Sequence, residues 1–328
     1  MQAKKHQSSF ETVCVTGAGG FLASWLVKLL LQSGYNVRGT VRDPGDAKNA
    51  HLKNIEGAKD RLKLLKADLL DYDLLFTAID GCIGVFHTAC PVPSHRLSNP
   101  EAEMVNPAVK GTLNVLKVCS VAKVKRVIMT SSLGAIHVNP NRPMGTLVDE
   151  SCWSDPEYCK TTQSWYLMSK TVSERDAWNC AKENGLDLVT ICPSWIFGPM
   201  LQPIINASSL GLIKLLTGDL ERRDNKVRHI VDVRDCAKAH LLAYEAPSAA
   251  GRYLCSAHTI NTKELVDILH RLYPQYTYPK DFVDVELNRS GVERLSNSKL
   301  QELGLEFMKL EKTLVDSVEC FFQKNILK

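Results

Sequence analysis

Tyr166 and Lys170 stand four residues apart in the run Trp-Tyr-Leu-Met-Ser-Lys. On a helix, this spacing places both side chains on one face and within contact range. A neighbouring ammonium group favours the phenolate form of a tyrosine. Tyr166 could therefore give a proton to a carbonyl oxygen as a general acid near neutral pH. The pair predicts proton transfer to a carbonyl compound.

Glycines near the N-terminus offer a place for a dinucleotide. Gly17, Gly20 and Ala23 follow a short apolar run and lead into residues with helical apolar spacing. In this strand–turn–helix context, glycines permit the tight turn and the close approach of the backbone to a pyrophosphate. The start of the helix then faces the phosphates with its N–H groups. Phe21 and Leu22, the first helical residues, are predicted to belong to the same site.

The end of the second predicted strand favours NADP(H) over NAD(H). An NAD-dependent protein usually carries an acidic residue there, which holds the ribose hydroxyls. Here Arg42 follows the strand and would offer a planar fork to a 2′-phosphate, and Lys48 could add a second positive charge. Asp43 is the contrary sign, but it lies one residue beyond the strand.

Later strand ends supply further predicted cofactor contacts. Asp68 follows the third strand, where its carboxylate could accept a hydrogen bond from the adenine amino group. His87, at the end of the fourth strand, is interpreted as a packed core histidine rather than an acid–base group. The predicted contacts at these strand ends are Asp68, Leu69, Thr88, Ala89, Pro193 and Ile196, beside Tyr166 and Lys170.

A serine after the fifth predicted strand could hold the carbonyl in line with the tyrosine. Ser131 and Ser132 both stand there, and spacing alone does not separate them. Asn114, on the helix after the fourth strand, could carry a water relay to Lys170 or could satisfy helix backbone groups.

The elements that must position these residues alternate along the chain. Strands are predicted over 12–16, 36–41, 62–67, 83–87, 127–130 and 187–192, and helices over 21–32, 74–79, 106–122 and 169–184. Strand–helix alternation predicts an α/β fold with a doubly wound parallel sheet, the NAD(P)-binding Rossmann fold. We expect a flexible tail over 1–11, a cofactor domain over 12–193 and a smaller substrate lobe over 194–328, some segments of which return to the first domain.

Composition excludes several other classes of protein. The 328 residues are 45% hydrophobic and 23% charged, with a net charge of +4, as in ordinary globular domains. This charge is too weak to indicate nucleic acid or a membrane surface as a partner. The eleven cysteines include no Cys-x-x-Cys pair and are interpreted as free thiols. With no apolar signal segment near the N-terminus, we expect a cytoplasmic location.

Several collinear motifs resemble the plant extended short-chain dehydrogenases of the cinnamoyl-CoA reductase and dihydroflavonol reductase branch. They include Thr-Gly-Ala-Gly-Gly-Phe-Leu-Ala, Gly-Thr-Val-Arg-Asp-Pro, Val-Phe-His-Thr-Ala, Tyr-x-x-x-Lys and Gly-Arg-Tyr-Leu-Cys. The resemblance runs from about residue 12 to the C-terminus. It implies a catalytic triad of Ser132, Tyr166 and Lys170, since Ser132 lies 34 positions before Tyr166.

Departures from the family pattern bear on the substrate. In the family pattern, the residue after the catalytic tyrosine is a cysteine, and the matching residue here is Leu167. The family's histidine near the thioester is similarly matched by Gly211. Lys214 and Arg252 remain where the family has basic residues near CoA. Without the histidine, we expect an aldehyde to be the better substrate than a CoA ester.

The resulting hypothesis is an NADPH-dependent reductase of phenylpropanoid carbonyl compounds, acting on hydroxycinnamaldehydes to give alcohols, as a monomer or weak homodimer. The alternatives are a cinnamoyl-CoA reductase, a dihydroflavonol-type ketone reductase and a non-catalytic NADP(H) sensor. An aromatic substrate would fit a pocket with Ser132 and Tyr166 at the reacting end. Its apolar walls are predicted to be Val92, Ile136, Trp195 and Leu210.

Overall fold

A parallel sheet forms the centre of the computed structural model, which describes residues 11–90, 97–143, 145–218, 222–284 and 294–328. In these ranges seven strands form one sheet, and every neighbouring pair is parallel. The strands are β1 Thr12–Thr16, β2 Asn36–Val41, β3 Leu62–Lys66, β4 Gly84–His87, β5 Arg126–Thr130, β6 Leu188–Pro193 and β10 Gly251–Cys255. The strands run in the order β10-β6-β5-β4-β1-β2-β3, which is the order of a Rossmann fold, the predicted fold, with β10 added beside β6.

The helices of the described ranges include those that cover both faces of the central sheet and others that pack on the smaller sheets. They are α1 Phe21–Gln32, α2 Ala50–Lys53, α3 Ala58–Arg61, α4 Tyr72–Ile79, α5 Asn106–Val121, α6 Pro156–Thr161, α7 Trp165–Asn184, α8 Ala207–Leu216, α9 Val233–Glu245, α10 Thr262–Leu272, α11 Ser298–Glu302 and α12 Leu310–Gln323. Short 3₁₀ turns span Ala47–Asn49 and Leu133–Ala135, and a π-helical turn spans Glu101–Val105. Among these described helices, none is long and apolar enough to cross a membrane.

Strand β1 shows why the sheet is doubly wound. Val13 and Val15 belong to the core cluster that contains α1 and α9, while Cys14 between them belongs to the cluster that contains α4, α5 and α7. All three residues are fully buried. Successive side chains of a strand point to opposite faces, so a strand covered on both sides reads as a continuous apolar run.

The segments after β6 form smaller sheets and also return to the central one. Strands β7 Trp195–Phe197, β9 Val227–Asp232 and β11 His258–Asn261 form one small sheet, and β8 Arg222–Asn225 pairs with β12 Asp281–Asp284. Strand β10 joins the central sheet, and α9 packs against α1.

The ends of most predicted elements lie within one or two residues of those observed. The exception is one helix whose predicted first residue lies too far along the chain. The helix predicted from Ser169 begins at Trp165. Ser164 stands before its first turn without a capping hydrogen bond from its side chain, and Gln163 has φ +54°. Serine is a preferred N-cap residue, so the sequence does carry a start signal at Ser164, which the prediction did not use. Because the helix begins early, Tyr166 and Lys170 both lie on it.

Candidate active site

A glycine turn joins β1 to α1. Gly17 has φ +67°, and a Cβ there would lie 2.9 Å from Cβ of Ala89. Its N–H donates to Oγ1 of Thr40 at 3.1 Å. Gly20 precedes α1 without a side-chain cap, and the first turn holds no acidic residue. The turn and the uncapped helix start, where Phe21 is the first residue, fit a dinucleotide pyrophosphate.

The loop after β2, residues 42–49, carries the two basic residues predicted to contact a 2′-phosphate. Arg42 and Lys48 are both exposed, and Nζ of Lys48 lies 2.6 Å from a carboxylate oxygen of Asp46. The carboxylate of Asp43 accepts a hydrogen bond from the N–H of Gly45 at 2.8 Å. The acidic residue that stood against NADP(H) is therefore engaged in its own turn, and Arg42 stays the predicted partner of the 2′-phosphate.

Thr16 ties the end of β1 to the segment that follows β4. Its Oγ1 accepts from the N–H of Ala89 at 3.1 Å, and its carbonyl accepts from Oγ1 of Thr88 at 2.5 Å. His87 contacts the same Oγ1 through Nδ1 at 3.0 Å. Burial, with a smaller contribution from the charge of Lys170, lowers the pKa of His87 to about 3. His87 is thus a packed, neutral core histidine, as predicted.

The segment after β3 is held by its own backbone and by α5. Oδ1 of Asp68 accepts from the N–H of Leu70 at 2.9 Å and the side chain is exposed. Asn114 donates from Nδ2 to the carbonyl of Leu69 at 2.9 Å. The side chain of Asn114 thus supports the loop after β3 rather than helix backbone groups, and its water relay to Lys170 stays a prediction. Asp68 and Leu69 lie at the sheet edge where adenine is predicted.

Tyr166 and Lys170 occupy the first turns of α7. Tyr166 is 42% exposed, whereas Lys170 is buried and donates from Nζ to the carbonyl of Thr130 at 3.4 Å. Burial alone would lower the pKa of Lys170, but interactions with Cys90, Tyr166 and Glu174 together raise it. Lys170 therefore stays an ammonium group beside an accessible phenol, which is the arrangement that general acid catalysis requires.

The two adjacent serines after β5 have different environments. Ser131 is buried and donates from Oγ to Oε2 of Glu174 at 2.6 Å. Ser132 is half-buried, and its Oγ accepts from the N–H of Gly134 at 3.0 Å, so its own proton is not used in that bond. A Cβ at Gly134 would lie 2.5 Å from Cδ2 of Leu167, the residue after the tyrosine. The geometry therefore favours Ser132 as the predicted carbonyl-orienting residue.

Arg252 corrects one expectation. It was expected near a CoA substrate, but it is 7% exposed and donates from Nε and Nη2 to the two carboxylate oxygens of Glu174, at 2.8 and 3.0 Å. Its guanidinium also lies 3.7 Å from the centre of the Trp153 ring. Arg252 is an internal partner of α7 and presents no charge to a ligand.

Only some of the residues predicted to line the substrate pocket lie near one another in the structure. Trp195 on β7 is half-buried, and a Cβ at Gly211 on α8 would lie 2.5 Å from its Cζ2 atom. Leu210, the neighbour of Gly211, is 44% exposed. Pro193 ends β6 as a buried residue and Ile196 is half-buried on β7, so both stay predicted cofactor contacts.

Of the other two predicted wall residues, one is buried in the core and one is outside the described ranges. Ile136 is fully buried in a small core cluster with Leu133 and Val148, so its placement on the pocket wall was wrong because its side chain has no accessible surface. Val92 lies outside the described residues.

Three residues near the site were not predicted from the sequence. Asn49 is buried, donates from Nδ2 to the carbonyl of Asp43 at 2.8 Å and lies against Gly19. Nε2 of His51 lies 2.8 Å from Oγ of Ser24 on α1. The guanidinium of Arg228 lies 5.2 Å from the centre of the Trp195 ring. The only sequence signal for Asn49 and His51 is that they follow Arg42 closely, in the segment predicted to contact the 2′-phosphate.

Comparison with known proteins places the fold and site in a family. The model of the NAD dependent epimerase/dehydratase family matches residues 13–256. Cinnamoyl-CoA reductase 1 of Petunia hybrida is 51% identical, covering 97% of this chain and 94% of the relative, and cinnamoyl-CoA reductase 1 of Arabidopsis thaliana is 50% identical, covering 97% and 91%. Vestitone reductase from alfalfa has a structure with a TM-score of 0.80 at 33% identity, covering 96% and 99%.

The chain belongs to the NAD dependent epimerase/dehydratase family, within the plant extended short-chain dehydrogenases of the cinnamoyl-CoA reductase and dihydroflavonol reductase branch. It is an NADP(H)-dependent oxidoreductase. Three features of this chain agree with that cofactor: the glycine turn, the uncapped start of α1, and Arg42 with Lys48 in the loop after β2.

Proposed function

We propose that the chain uses NADPH to reduce the carbonyl carbon of phenylpropanoid substrates, with hydroxycinnamoyl-CoA thioesters as the main substrates and hydroxycinnamaldehydes as the products. The observation that carries this proposal is the identity of about half of the aligned residues, over 97% of the chain, to proteins named cinnamoyl-CoA reductase. This revises the preference for aldehyde substrates that the sequence alone suggested.

The cofactor would be held by residues of the first half of the chain. The turn around Gly17 and Gly20 and the start of α1 at Phe21 and Leu22 would face the pyrophosphate. The other proposed contacts are Arg42 and Lys48 at the 2′-phosphate, Asp68 and Leu69 at adenine, and Thr88, Ala89, Pro193, Ile196, Tyr166 and Lys170 toward the ribose and nicotinamide. Bound NADPH supplies the hydride, as in other nicotinamide enzymes.

The chain itself supplies position and a proton. The exposed Tyr166 hydroxyl gives its proton to the carbonyl oxygen, and the buried Lys170 ammonium stabilises the phenolate that remains. Ser132 donates a hydrogen bond to the same oxygen and holds the carbonyl in place. For a thioester, addition of one hydride and one proton, followed by loss of the CoA thiol, gives the aldehyde.

A second candidate function is reduction of hydroxycinnamaldehydes to alcohols, which two observations favour. The contact of Gly211 with Trp195 leaves no space for a side chain that could position a thioester. Arg252 is paired with Glu174, so of the two expected CoA-facing cations only Lys214 is exposed. An aldehyde needs no remote handle, whereas a CoA ester gains part of its binding from one.

A side-by-side assay of NADPH oxidation with feruloyl-CoA, coniferaldehyde and a dihydroflavonol tests the proposal. We expect feruloyl-CoA to give the highest kcat/KM. A preference of more than tenfold for coniferaldehyde would support the second candidate, and turnover of the dihydroflavonol alone would refute both. We also propose that the active species is a monomer or weak homodimer, which sedimentation velocity at assay concentration would test.

A further inference from the structure

The ring of His51 connects the loop after β2, which carries Arg42 and Lys48, to the start of α1. Its Nδ1 lies 2.9 Å from the carbonyl of Lys48, and its Nε2 lies 2.8 Å from Oγ of Ser24. The same Oγ lies 2.7 Å from the carbonyl of Gly20, the residue that precedes α1. His51 thus joins the loop that carries the predicted 2′-phosphate contacts to the turn that faces the pyrophosphate.

These three contacts need more protons than the neutral groups possess. A carbonyl can only accept, so Nδ1 must donate to Lys48, and the Ser24 hydroxyl donates to the carbonyl of Gly20 or, at 3.2 Å, to that of Ala18. The serine then has no proton left for Nε2 of His51. A neutral imidazole carries one N–H and leaves one contact without a proton, whereas an imidazolium donates from both nitrogens and satisfies all three.

The free protein opposes this protonation. Burial lowers the pKa of His51, and the charge of Lys324 beyond α12 lowers it further, although the bond to the Lys48 carbonyl raises it. The other charged groups on the same segment are Arg42, Asp43, Lys48, which is paired with Asp46, and Lys53 at the end of α2. The start of α1 adds its positive dipole end. The neutral ring, with its incomplete hydrogen bonding, is therefore favoured near neutral pH.

Bound dinucleotide phosphates would reverse this balance, because they bring negative charge to the start of α1 and to the loop at Lys48. We propose that His51 is a positioning residue for NADP(H), which takes up a proton when the cofactor binds and thereby fastens the loop of residues 42–51 to α1. His51 touches no reacting atom. Its protonation makes cofactor affinity rise as pH falls.

Calorimetric titration of the full-length protein with NADP⁺ tests this, in buffers of different ionisation enthalpy between pH 5.5 and 8. A rise of about one unit in the pKa of His51 corresponds to uptake of about half a proton and an affinity change of about tenfold across the range. The 2′-phosphate, with a second pKa of about 6, exchanges protons of its own. The informative quantity is therefore the difference between the natural protein and His51→Gln.

We expect His51→Gln to lose the proton uptake and the matching pH dependence of affinity, while the control His270→Gln, at an exposed position on α10, keeps both. Equal proton uptake in the natural protein and His51→Gln would overturn the proposal. A loss of NADP⁺ affinity that is the same at every pH would also overturn it, since that is the result of a purely structural role.

A second measurement needs no variant for its main result. NMR titration of the histidine ring signals, with and without NADP⁺, should show one signal whose midpoint moves to higher pH when the cofactor is bound. His51→Gln assigns that signal by its loss. If no histidine midpoint moves upward, the proposal is wrong even if the variant fails to fold.

Discussion

The cofactor side and the substrate side of the molecule are assembled in different ways. On the cofactor side, Gly17, Arg42 and Thr88 directly follow strands of the central sheet, and Asp68 is the second residue after β3. Hydrogen bonds between backbone and side-chain groups hold Gly17, Asp68 and Thr88 in place. On the substrate side, Trp195, Gly211 and Arg228 come from β7, α8 and β9, and their contacts are made by side chains.

The difference teaches which part of such a protein a sequence pattern can specify. Parallel strands place their carboxyl ends at one edge of the sheet, so a residue at a strand end reaches the cofactor without needing any particular distant partner. A pocket wall depends on the shapes of several elements at once.

The largest effect is expected where the second half of the chain is fixed to α7. Arg252→Met leaves the carboxylate of Glu174 buried without its partner, which costs about 3–5 kcal/mol of stability. Urea denaturation would measure the loss. Arg271→Met is the matched control, since the Arg271–Glu311 pair is exposed and contributes less than about 1 kcal/mol. A loss of CoA-ester affinity in Arg252→Met, with stability unchanged, would restore the role that the sequence suggested for this arginine.

The catalytic tyrosine lies where the two sides meet. Tyr166→Phe keeps the ring and removes the acid, so we expect kcat to fall by about 10²-fold or more while NADPH affinity stays nearly unchanged. Steady-state kinetics and a binding titration would separate the two effects. Tyr158→Phe, at another exposed tyrosine on α6, should have normal activity. Near-normal turnover by Tyr166→Phe would refute the assigned mechanism.

On the cofactor side, a single residue should change cofactor choice. Arg42→Ala removes a charge-assisted hydrogen-bonding partner of the 2′-phosphate, with an expected cost of about 1.5–3 kcal/mol. NADPH affinity should fall by about 10- to 100-fold, and NADH, which lacks the phosphate, serves as the internal control. Equal weakening of both cofactors would show that Arg42 supports the loop rather than the phosphate.

The smallest effect is expected on the substrate side. Gly211→Ala places a methyl group against Trp195, and overpacking usually costs about 1–3 kcal/mol, part of which the better helix propensity of alanine offsets. The displaced indole should change kcat/KM several-fold without changing NADPH affinity. Ser208→Ala, on the same helix, is the control. An unchanged kcat/KM would place Trp195 away from the substrate.

The sequence predicted a doubly wound parallel sheet and the ends of β1, α1 and β2 to the residue, because apolar runs and glycines mark them strongly. It did not predict that Ile136 is core or that Arg252 is an internal ion-pair partner. An isoleucine or an arginine has the same appearance in a sequence whether it lines a pocket or is buried. Only the packing of distant elements distinguishes the two.

The contact between Gly211 and Trp195 has a consequence for how this branch of proteins can diversify. Because a Cβ at 211 and the indole at 195 compete for one volume, the two positions are sterically coupled. A lineage that gains a large side chain at 211, such as histidine, should carry a smaller residue than tryptophan at 195. The two positions should therefore covary across descendants, and installing a histidine in this chain should require Trp195→Leu in the same molecule.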